Sequence, residues 1–239
     1  MLEIHGLSVR LGGQAVLTDV STRIEDGELV YLLGRNGTGK TTLLRAACGT
    51  IPTTSGRILV DGRRFGELTT PATSIGMHLG TDGAHPGHTA RRHLTWLARA
   101  GGIPTGRVAD VLDMVGLSGV EHRRVVDYSL GMRQRLGIAA ALLGDAGTLV
   151  LDEPGNGLDI DGIRWLRTFL RNLADDGRSL LIASHHLDEV ARTADRILVL
   201  DAGHVVADAS LTDFVDGHAD LEEAYLATVT RPAATEVIP

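Results

Sequence analysis

The 239-residue sequence carries a formal net charge of −7, with 43% hydrophobic and 22% charged residues. These proportions indicate a globular core rather than a disordered chain. The acidic balance disfavours a broad nucleic-acid surface, because neutralising phosphates requires clustered Lys and Arg side chains, so no nucleic-acid partner is expected. The short arginine pairs at 63–64, 91–92 and 123–124 are typical of solvated surface.

Cysteine content and hydropathy bear on the compartment. Cys48 is the single cysteine, so no disulfide can form within the chain, as is typical of a reducing cytosol. The first six residues show no basic segment followed by an apolar one, so we predict no signal peptide. No apolar run approaches the roughly 18 to 20 residues that span a bilayer. If the protein serves a membrane process, the membrane part must be another chain.

The first third of the sequence indicates β-structure. Short strand-like runs lie between residues 3 and 10, and Gly56–Gly62 is a strand pattern bounded by turn residues. Leu29–Leu33 is a continuous apolar run, which is typical of a strand buried on both faces. A Gly-rich turn follows it, and a helix is predicted from near Gly39.

The middle of the chain changes to helical periodicity, from about Gly76 to Gly144. Apolar residues recur at helical spacing over 90–100, 108–115 and 132–143. This stretch predicts a helical insertion.

Buried-strand patterns return at 148–151 and 179–183, and an amphipathic helix is predicted between them over 163–173. Residues 196–207 have the pattern of a hairpin, and one or two short helices are predicted for 211–229. Buried strands that alternate with helices predict an α/β fold with a largely parallel central sheet.

The turn after the first buried strand matches the P-loop pattern completely. Its residues are Gly34, Arg35, Asn36, Gly37, Thr38, Gly39, Lys40 and Thr41. Glycines let successive backbone N–H groups point at phosphate oxygens, and the helix N-terminus adds partial positive charge. We expect Lys40 to reach the β- and γ-phosphates, Thr41 to bind Mg²⁺ and Thr42 to add a contact. The alternative, a fortuitous Gly-rich turn, is disfavoured by the flanking strand and helix.

Two carboxylates end the buried strand over 148–151. Ligands of open α/β sheets lie beyond the carboxyl ends of strands, which places Asp152 to hold Mg²⁺, directly or through water. Glu153 is placed to orient and polarise the attacking water as a general base. The alternative is two solvated acids that begin a turn before Pro154.

The segment from Tyr128 to Arg135 opens a helix shortly before the acidic strand and resembles the signature motif of ABC ATPases. The usual motif is Leu-Ser-Gly-Gly-Gln; here Ser129 and Gly131 match, whereas Tyr128, Leu130 and Met132 differ. In the family this helix N-terminus binds the γ-phosphate of ATP held on the partner subunit. The alternative is an ordinary helix in which Ser129 serves only as the N-cap.

Two further segments match the family in the right order. Gly157-Leu158-Asp159 resembles the D-loop, which crosses between subunits. Ser184-His185 follows the next buried strand and resembles the switch histidine that contacts the γ-phosphate, with a surface histidine as the alternative. His186 is interpreted as a neighbour without a role.

The resemblance covers nearly the whole chain, from Leu2 to about Val229. It is nearest to the ATPase subunits of bacterial exporters whose membrane part is a separate polypeptide. It implies an ATP hydrolase that uses ATP and Mg²⁺, dimerises through composite ATP sites, and drives a separate transmembrane permease from the cytoplasmic face of the cell membrane.

The resemblance also implies a P-loop NTPase fold and one ABC ATPase domain over residues 1–229. Its parts are a P-loop core with an N-terminal antiparallel β subdomain (1–75), a helical subdomain carrying the signature motif (76–144), a core segment with the acidic strand and switch histidine (145–210), C-terminal helices (211–229) and a tail (230–239).

Two departures from the family concern the contacts to the adenine base and to Mg²⁺. Leu11 occupies the position of an aromatic that stacks on adenine, and a leucine offers apolar contact without a ring face. Val16 is expected to supply the remaining apolar wall. The family also has a Gln before the helical insertion that helps to hold Mg²⁺. Here Gly80 occupies that position, and His78 or Asp82 is a candidate substitute.

Four histidines at 78, 85, 88 and 93 raise the alternative of a metal site. No Cys or paired acid lies among them at a recurrent ligand spacing, so loop and helix-surface histidines are the favoured interpretation.

Two other functions compete with transport. One is a soluble ABC ATPase that acts on ribosomes, DNA or cofactor assembly; such translation factors usually carry two ATPase domains, and this chain has one. The other is a regulatory nucleotide-binding module without turnover. The missing Gln and altered signature favour it, whereas Glu153 and His185 oppose it.

Overall fold

The computed structural model describes residues 1–80 and 83–230. Asp82 and the predicted tail beyond Thr230 lie outside the described residues. Ten strands occur in the described part: β1 (Leu2–Leu11), β2 (Gln14–Ile24), β3 (Leu29–Leu33), β4 (Ser55–Val60), β5 (Arg63–Arg64), β6 (Ile75–His78), β7 (Thr148–Asp152), β8 (Ser179–Ala183), β9 (Arg196–Asp201) and β10 (His204–Ser210).

Nine α-helices connect these strands within the same described ranges. They are α1 (Lys40–Ala47), α2 (Pro71–Ser74), α3 (Ala90–Ala100), α4 (Arg107–Met114), α5 (Leu130–Leu142), α6 (Ile160–Asp175), α7 (Leu187–Thr193), α8 (Leu211–Val215) and α9 (Leu221–Thr230).

The central sheet has six strands in the order β10-β9-β3-β8-β7-β6. β9, β3, β8, β7 and β6 are parallel, and β10 pairs antiparallel with β9. Every residue of β3 and β8 is buried, because these strands lie between neighbours with both faces covered. The predicted α/β fold with a largely parallel sheet is confirmed.

A second sheet, antiparallel, has the order β2-β1-β4-β5. β1 is continuous through Gly6, where the pairing register with β2 shifts between Ile4 and Leu7. The two short runs expected between residues 3 and 10 are therefore one strand with a bulge, since a glycine at φ 57° accommodates the extra residue.

The expectation of purely helical structure from Gly76 onward is wrong at its start. Ile75–His78 forms β6, which pairs parallel with β7 at the edge of the central sheet. Four residues are too few for a periodicity to distinguish a strand from a helix, and pairing with β7 decides the outcome. The predicted helices over 90–100 and 132–143 are confirmed as α3 and α5.

Two hydrophobic clusters fill the molecule. One unites α3, α4, α5 and α6 with one face of the central sheet, and the other packs α1 between that sheet and the antiparallel one. The helix that follows the predicted phosphate loop is therefore held on both sides.

Candidate functional site

The predicted phosphate loop, the two acids and the predicted switch histidine converge on one edge of the central sheet. β3, β8 and β7 are adjacent and parallel, so their carboxyl ends meet there. The phosphate loop follows β3, His185 follows β8, and β7 ends at Asp152. A cleft of about 220 Å³ lies at this edge, and its lining residues are Val16, Asn36, Gly37, Gly39, Lys40, Thr41, Thr42, Asp152 and Glu153.

The loop from Gly34 to Gly39 makes a tight turn into α1. Gly39 is the N-cap of α1 at φ 108°, a backbone conformation that L side chains rarely adopt, and a Cβ atom there would lie 2.8 Å from Leu17 Cδ2. Thr38 is buried, and its hydroxyl donates to the Arg35 carbonyl oxygen at 2.9 Å. Backbone geometry and packing together therefore require this pattern of small residues.

Lys40 is the first residue of α1 and is 8% exposed. Its ammonium group donates to the carbonyl oxygens of Gly34 at 2.6 Å and Arg35 at 3.3 Å. Burial lowers the pKa of Lys40, while the carboxylates of Glu153 and Asp152 act in the opposite direction. The cation thus faces both acids that end the neighbouring strand.

Thr41 and Asp152 are in direct contact, since the Thr41 hydroxyl donates to Asp152 Oδ2 at 2.8 Å. A hydroxyl and a carboxylate oxygen are the hard oxygen ligands that Mg²⁺ takes, and Mg²⁺ sites use one or two carboxylates together with substrate phosphates. The donor set at this point fits a magnesium ion. Thr42 lines the same cleft.

Glu153 and His185 form a second pair, with His185 Nδ1 2.8 Å from Glu153 Oε2. The Glu153 side chain is 22% exposed and the His185 side chain 54% exposed, so water reaches both. The Glu153 backbone has φ 50°, which is uncommon for a residue other than glycine. Its N–H donates to the Ala183 carbonyl oxygen at 3.0 Å, which holds the turn against the end of β8.

Leu11 and Val16, the two residues expected at the adenine base, differ in their position relative to the cleft. Val16 lines the cleft beside the phosphate loop. Leu11 is the last residue of β1, is 44% exposed and is not among the residues that line this cleft.

The signature segment begins α5, and the D-loop segment precedes α6. Ser129 is the N-cap of α5, where its hydroxyl accepts from Met132 N–H at 3.2 Å, and Gly131 lies in the first turn. Asp159 caps α6 and accepts from Gly162 N–H at 2.8 Å. No side-chain hydrogen bond joins any of these three to the phosphate loop within residues 1–80 and 83–230.

The interpretation of His78 and His93 as surface residues is wrong. They are 3% and 7% exposed, because β6 belongs to the sheet and His93 faces the core from α3. His85 is exposed, and its ring centroid lies 5.0 Å from that of His88. Among the described residues no group of three or more His, Cys, Asp or Glu side chains is arranged to hold a metal ion.

Gln134 is a residue at this site that the sequence did not single out. Its side-chain amide on α5 is 3.0 Å from the Asn156 carbonyl oxygen and 3.4 Å from that of Glu153, and its Oε1 is 2.5 Å from His78 Nε2. The sequence signal was a polar residue among apolar neighbours at helical spacing, which does not show which groups Gln134 contacts.

None of the helices in the described part of the chain is both long and apolar enough to cross a membrane.

Comparison with known proteins identifies the family. The model of the ABC transporter family matches residues 17–156. An ABC transporter ATP-binding protein of Bacillus subtilis, YdbJ, is 36% identical over 214 residues, which cover 88% of this chain and 70% of that protein. The bacitracin transport ATP-binding protein BcrA of Enterococcus faecalis is 35% identical over 216 residues, with 89% and 70% covered.

A solved structure described as the ATP-binding subunit of an ABC transporter superposes with a TM-score of 0.86 at 28% identity, and the match covers 95% of this chain and 99% of that one. The fold, the family match over more than half of the chain and the similarity to these relatives agree. The chain therefore belongs to the ABC transporter family, as one of its ATP-binding and ATP-hydrolysing subunits.

Proposed function

We propose that this chain hydrolyses ATP with Lys40, Thr41, Asp152, Glu153 and His185, and that it drives an exporter whose membrane part is a separate chain. The observation that carries the assignment of residues is the pairing of Thr41 with Asp152 and of His185 with Glu153 at one edge of the sheet. A hydroxyl, two carboxylates, an imidazole and an ammonium group are thereby gathered beside one cleft.

The phosphates of ATP bind to the loop from Gly34 to Thr42. Its backbone N–H groups and the start of α1 attract phosphate oxygens, and Lys40 supplies the cation. Thr41 and Asp152 hold Mg²⁺, which neutralises charge on the phosphates when it is bound. These two side chains fit that ion because both present oxygen atoms at the mouth of the cleft.

Glu153 acts as the general base and His185 as its partner. The Glu153 carboxylate accepts a proton from the attacking water, whose oxygen then bonds to the γ-phosphorus as the bond to the ADP oxygen breaks. His185 holds one carboxylate oxygen of Glu153 at 2.8 Å and is exposed enough to contact the γ-phosphate. The pair thus orients the base and the phosphate together.

The active unit is a homodimer with two composite sites. Ser129 and Gly131 lie at the N-terminus of α5, which favours an anion, yet neither is hydrogen-bonded to the phosphate loop of its own chain within the described residues. A second copy supplies these groups to the γ-phosphate, and Asp159 lies on the segment that crosses between copies. Leu11 and Val16 contact the base, and Leu11 selects it weakly because it has no ring face.

A transmembrane permease is the other partner, and the chain works at the cytoplasmic face of the cell membrane. The similarity to BcrA, whose name states bacitracin transport, supports a transport function, and the direction of export follows from the resemblance of the sequence to exporter subunits. The net charge of −7 supports a function without nucleic acid.

Glu153→Gln tests the assignment of the base. The amide is nearly isosteric but is a poor base at neutral pH, so we expect phosphate release to fall by about 10² to 10⁴ while Mg-ATP still binds. The measurement is steady-state phosphate release together with ATP affinity by calorimetry. The control is Asp176→Asn, an exposed carboxylate at the far end of α6, which we expect to retain the wild-type rate. Wild-type turnover in Glu153→Gln would exclude Glu153 as the base.

A further inference from the structure

A buried contact connects β6 to the turn that carries Glu153. His78 is the last residue of β6, and its Nε2 atom lies 2.5 Å from Gln134 Oε1. Gln134 Nε2 lies 3.0 Å from the Asn156 carbonyl oxygen and 3.4 Å from the Glu153 carbonyl oxygen. Three segments that are distant in sequence therefore meet through two side chains, both at most 4% exposed.

The chemistry of the four groups fixes the direction of each hydrogen bond. The two carbonyl oxygens accept only, so the Gln134 amide nitrogen must face them. Its oxygen consequently faces His78, and because that oxygen also accepts only, His78 Nε2 carries the hydrogen and donates it. Burial lowers the pKa of His78, which agrees with a neutral ring that is protonated at Nε2.

The helix is shaped to admit this ring. Gly137 lies one turn after Gln134 in α5, and a Cβ atom at Gly137 would lie 2.3 Å from both Cε1 and Nδ1 of His78. Real Cβ atoms do not approach other atoms so closely, so only glycine at residue 137 leaves room for the ring against the helix. The ring is thereby held with Nε2 directed at Gln134.

The turn that receives these hydrogen bonds has a backbone conformation that needs support. Glu153 has φ 50°, a region that non-glycine residues adopt only when the surroundings hold them there. Its carbonyl oxygen accepts from Asn156 N–H at 3.1 Å, and Gln134 donates to the same oxygen and to the Asn156 oxygen. The Gln134 amide thus clamps both ends of the turn.

We infer that His78 is a positioning residue for ATP hydrolysis, which acts through Gln134 to hold the Glu153–Asn156 turn so that the Glu153 carboxylate faces the cleft. This inference rests on the proposed role of Glu153. Binding of ATP uses the phosphate loop on β3 and α1, which His78 does not contact through a hydrogen bond in the described chain. The link therefore affects turnover rather than affinity.

The test compares variants of the full chain whose substituted side chains are similar in size but differ in whether they can donate a hydrogen bond. His78→Leu removes the donor, and His78→Gln keeps an N–H at the position of Nε2. Gln134→Met breaks the link from its other end. We expect kcat to fall about tenfold or more in His78→Leu and Gln134→Met, since small displacements of a reacting group have effects of this size. We expect His78→Gln to recover kcat to within about threefold of wild type, and Kd for Mg-ATP to stay within about threefold in all variants.

The control is His93→Leu. His93 is also buried and lines the same groove beside α5, but its ring makes no hydrogen bond among the residues that the structure describes. We expect its kcat to stay within about twofold of wild type, as for a substitution away from the site. Equal losses in His93→Leu and His78→Leu would attribute the effect to packing and overturn the inference.

Hydrogen exchange reports on the turn without depending on activity. We expect the backbone amides of residues 152–158 to exchange faster in His78→Leu and Gln134→Met, and at the wild-type rate in His78→Gln. The two single substitutions break the same link. The kcat of the double variant should therefore be no more than about twofold below that of the slower single variant.

Wild-type kcat in a folded His78→Leu, additive losses in the double variant, or unchanged exchange over 152–158 would each overturn the inference. If His78→Leu does not fold, Gln134→Met and His78→Gln decide by the same criteria. Wild-type turnover in Glu153→Gln contradicts only the proposed base, because exchange over 152–158 still measures the link to His78.

Discussion

At the scale of single residues, the site depends on one cation. Lys40 is the only lysine in the sequence, where all other basic residues are arginine or histidine. A lysine is a compact point charge on a flexible stem, whereas the planar arginine fork needs more room. Within the turn between Gly34 and α1, only the compact group donates to the loop carbonyls at 2.6 and 3.3 Å.

Lys40→Ala is expected to weaken ATP binding by at least about tenfold, since a hydrogen bond to a charged group contributes about 1.5 to 3 kcal/mol. Calorimetric titration with Mg-ATP measures the affinity. Acylation of the wild-type protein gives an independent reading, because Lys40 carries the only side-chain amine and Mg-ATP should protect it. Unchanged affinity in the variant, or labelling that ATP does not slow, contradicts the assignment of this loop.

A second prediction at this scale concerns pH. Burial lowers the pKa values of His78 and His93, although the Gln134 hydrogen bond and the Asp152 charge act in the opposite direction at His78. A folded-state pKa below the unfolded value means that the unfolded chain binds more protons between the two values. The stability due to each neutral ring is therefore complete above about pH 6.5 and is lost as the pH falls below it.

We expect the urea midpoint of the wild-type protein to fall between pH 7.5 and pH 5.5, and to fall less in His78→Gln, which cannot titrate there. Carboxylates whose pKa is lowered, such as Asp26 and Asp145, do not contribute in this window because they stay ionised. The same pH slope in both proteins would mean that folding does not change the protonation of His78 in this pH window.

At the scale of elements, the edge strand β6 packs closely against α5, the helix that covers it. A Cβ atom at Gly76 would lie 2.0 Å from the Ala141 carbonyl oxygen of α5, so strand and helix backbones approach as closely as glycine allows. The same contact brings His78 on β6 against Gln134 on α5. Close packing of these two elements thus creates the link to the turn after β7.

Gly76→Ala should lower the free energy of unfolding by about 1 to 3 kcal/mol, the usual effect of an added methyl group in a packed interior. Chemical denaturation measures it. Gly147→Ala is the matched control, because a Cβ at Gly147 meets nothing within 4 Å, and we expect a change of at most about 0.5 kcal/mol. Equal stabilities of the two variants would show that β6 and α5 separate readily.

At the scale of the whole molecule, the groups proposed to contact ATP belong to two separate segments of one copy. The phosphate loop, Asp152 and Glu153 share one cleft, whereas Ser129 and Gly131 begin a helix that is not hydrogen-bonded to that loop in the described residues. We propose that a second copy is needed to bring these parts together around one nucleotide.

Glu153→Gln should therefore convert from monomer to dimer when Mg-ATP is added, because unhydrolysed ATP stays between the two copies. ADP should not cause the change, since it lacks the γ-phosphate that Ser129 and Gly131 bind. Light scattering after size exclusion measures the mass. In Glu153→Gln combined with Ser129→Arg, the long arginine side chain at the start of α5 should prevent the two copies from closing around ATP. A monomer with ATP in Glu153→Gln alone would mean that closure needs the membrane partner.

The sequence by itself determined the fold class and predicted most residues of the candidate site. A phosphate loop after a buried strand and two acids at the end of another are local patterns, and a parallel sheet brings the carboxyl ends of such strands together wherever it forms. The buried runs that became β3, β7 and β8 were long enough to be recognised without their neighbours.

Only the tertiary structure showed that residues 75–78 form β6, that His78 is buried and that Gln134 contacts it. Four residues carry too little periodicity to distinguish strand from helix, and pairing with β7 supplied the answer. A histidine or a glutamine in sequence is equally compatible with surface and core, because its environment depends on which backbone approaches it. The close approach of α5 and β6 at Gly76 and Gly137 buries these side chains. No local sequence pattern contains such a contact.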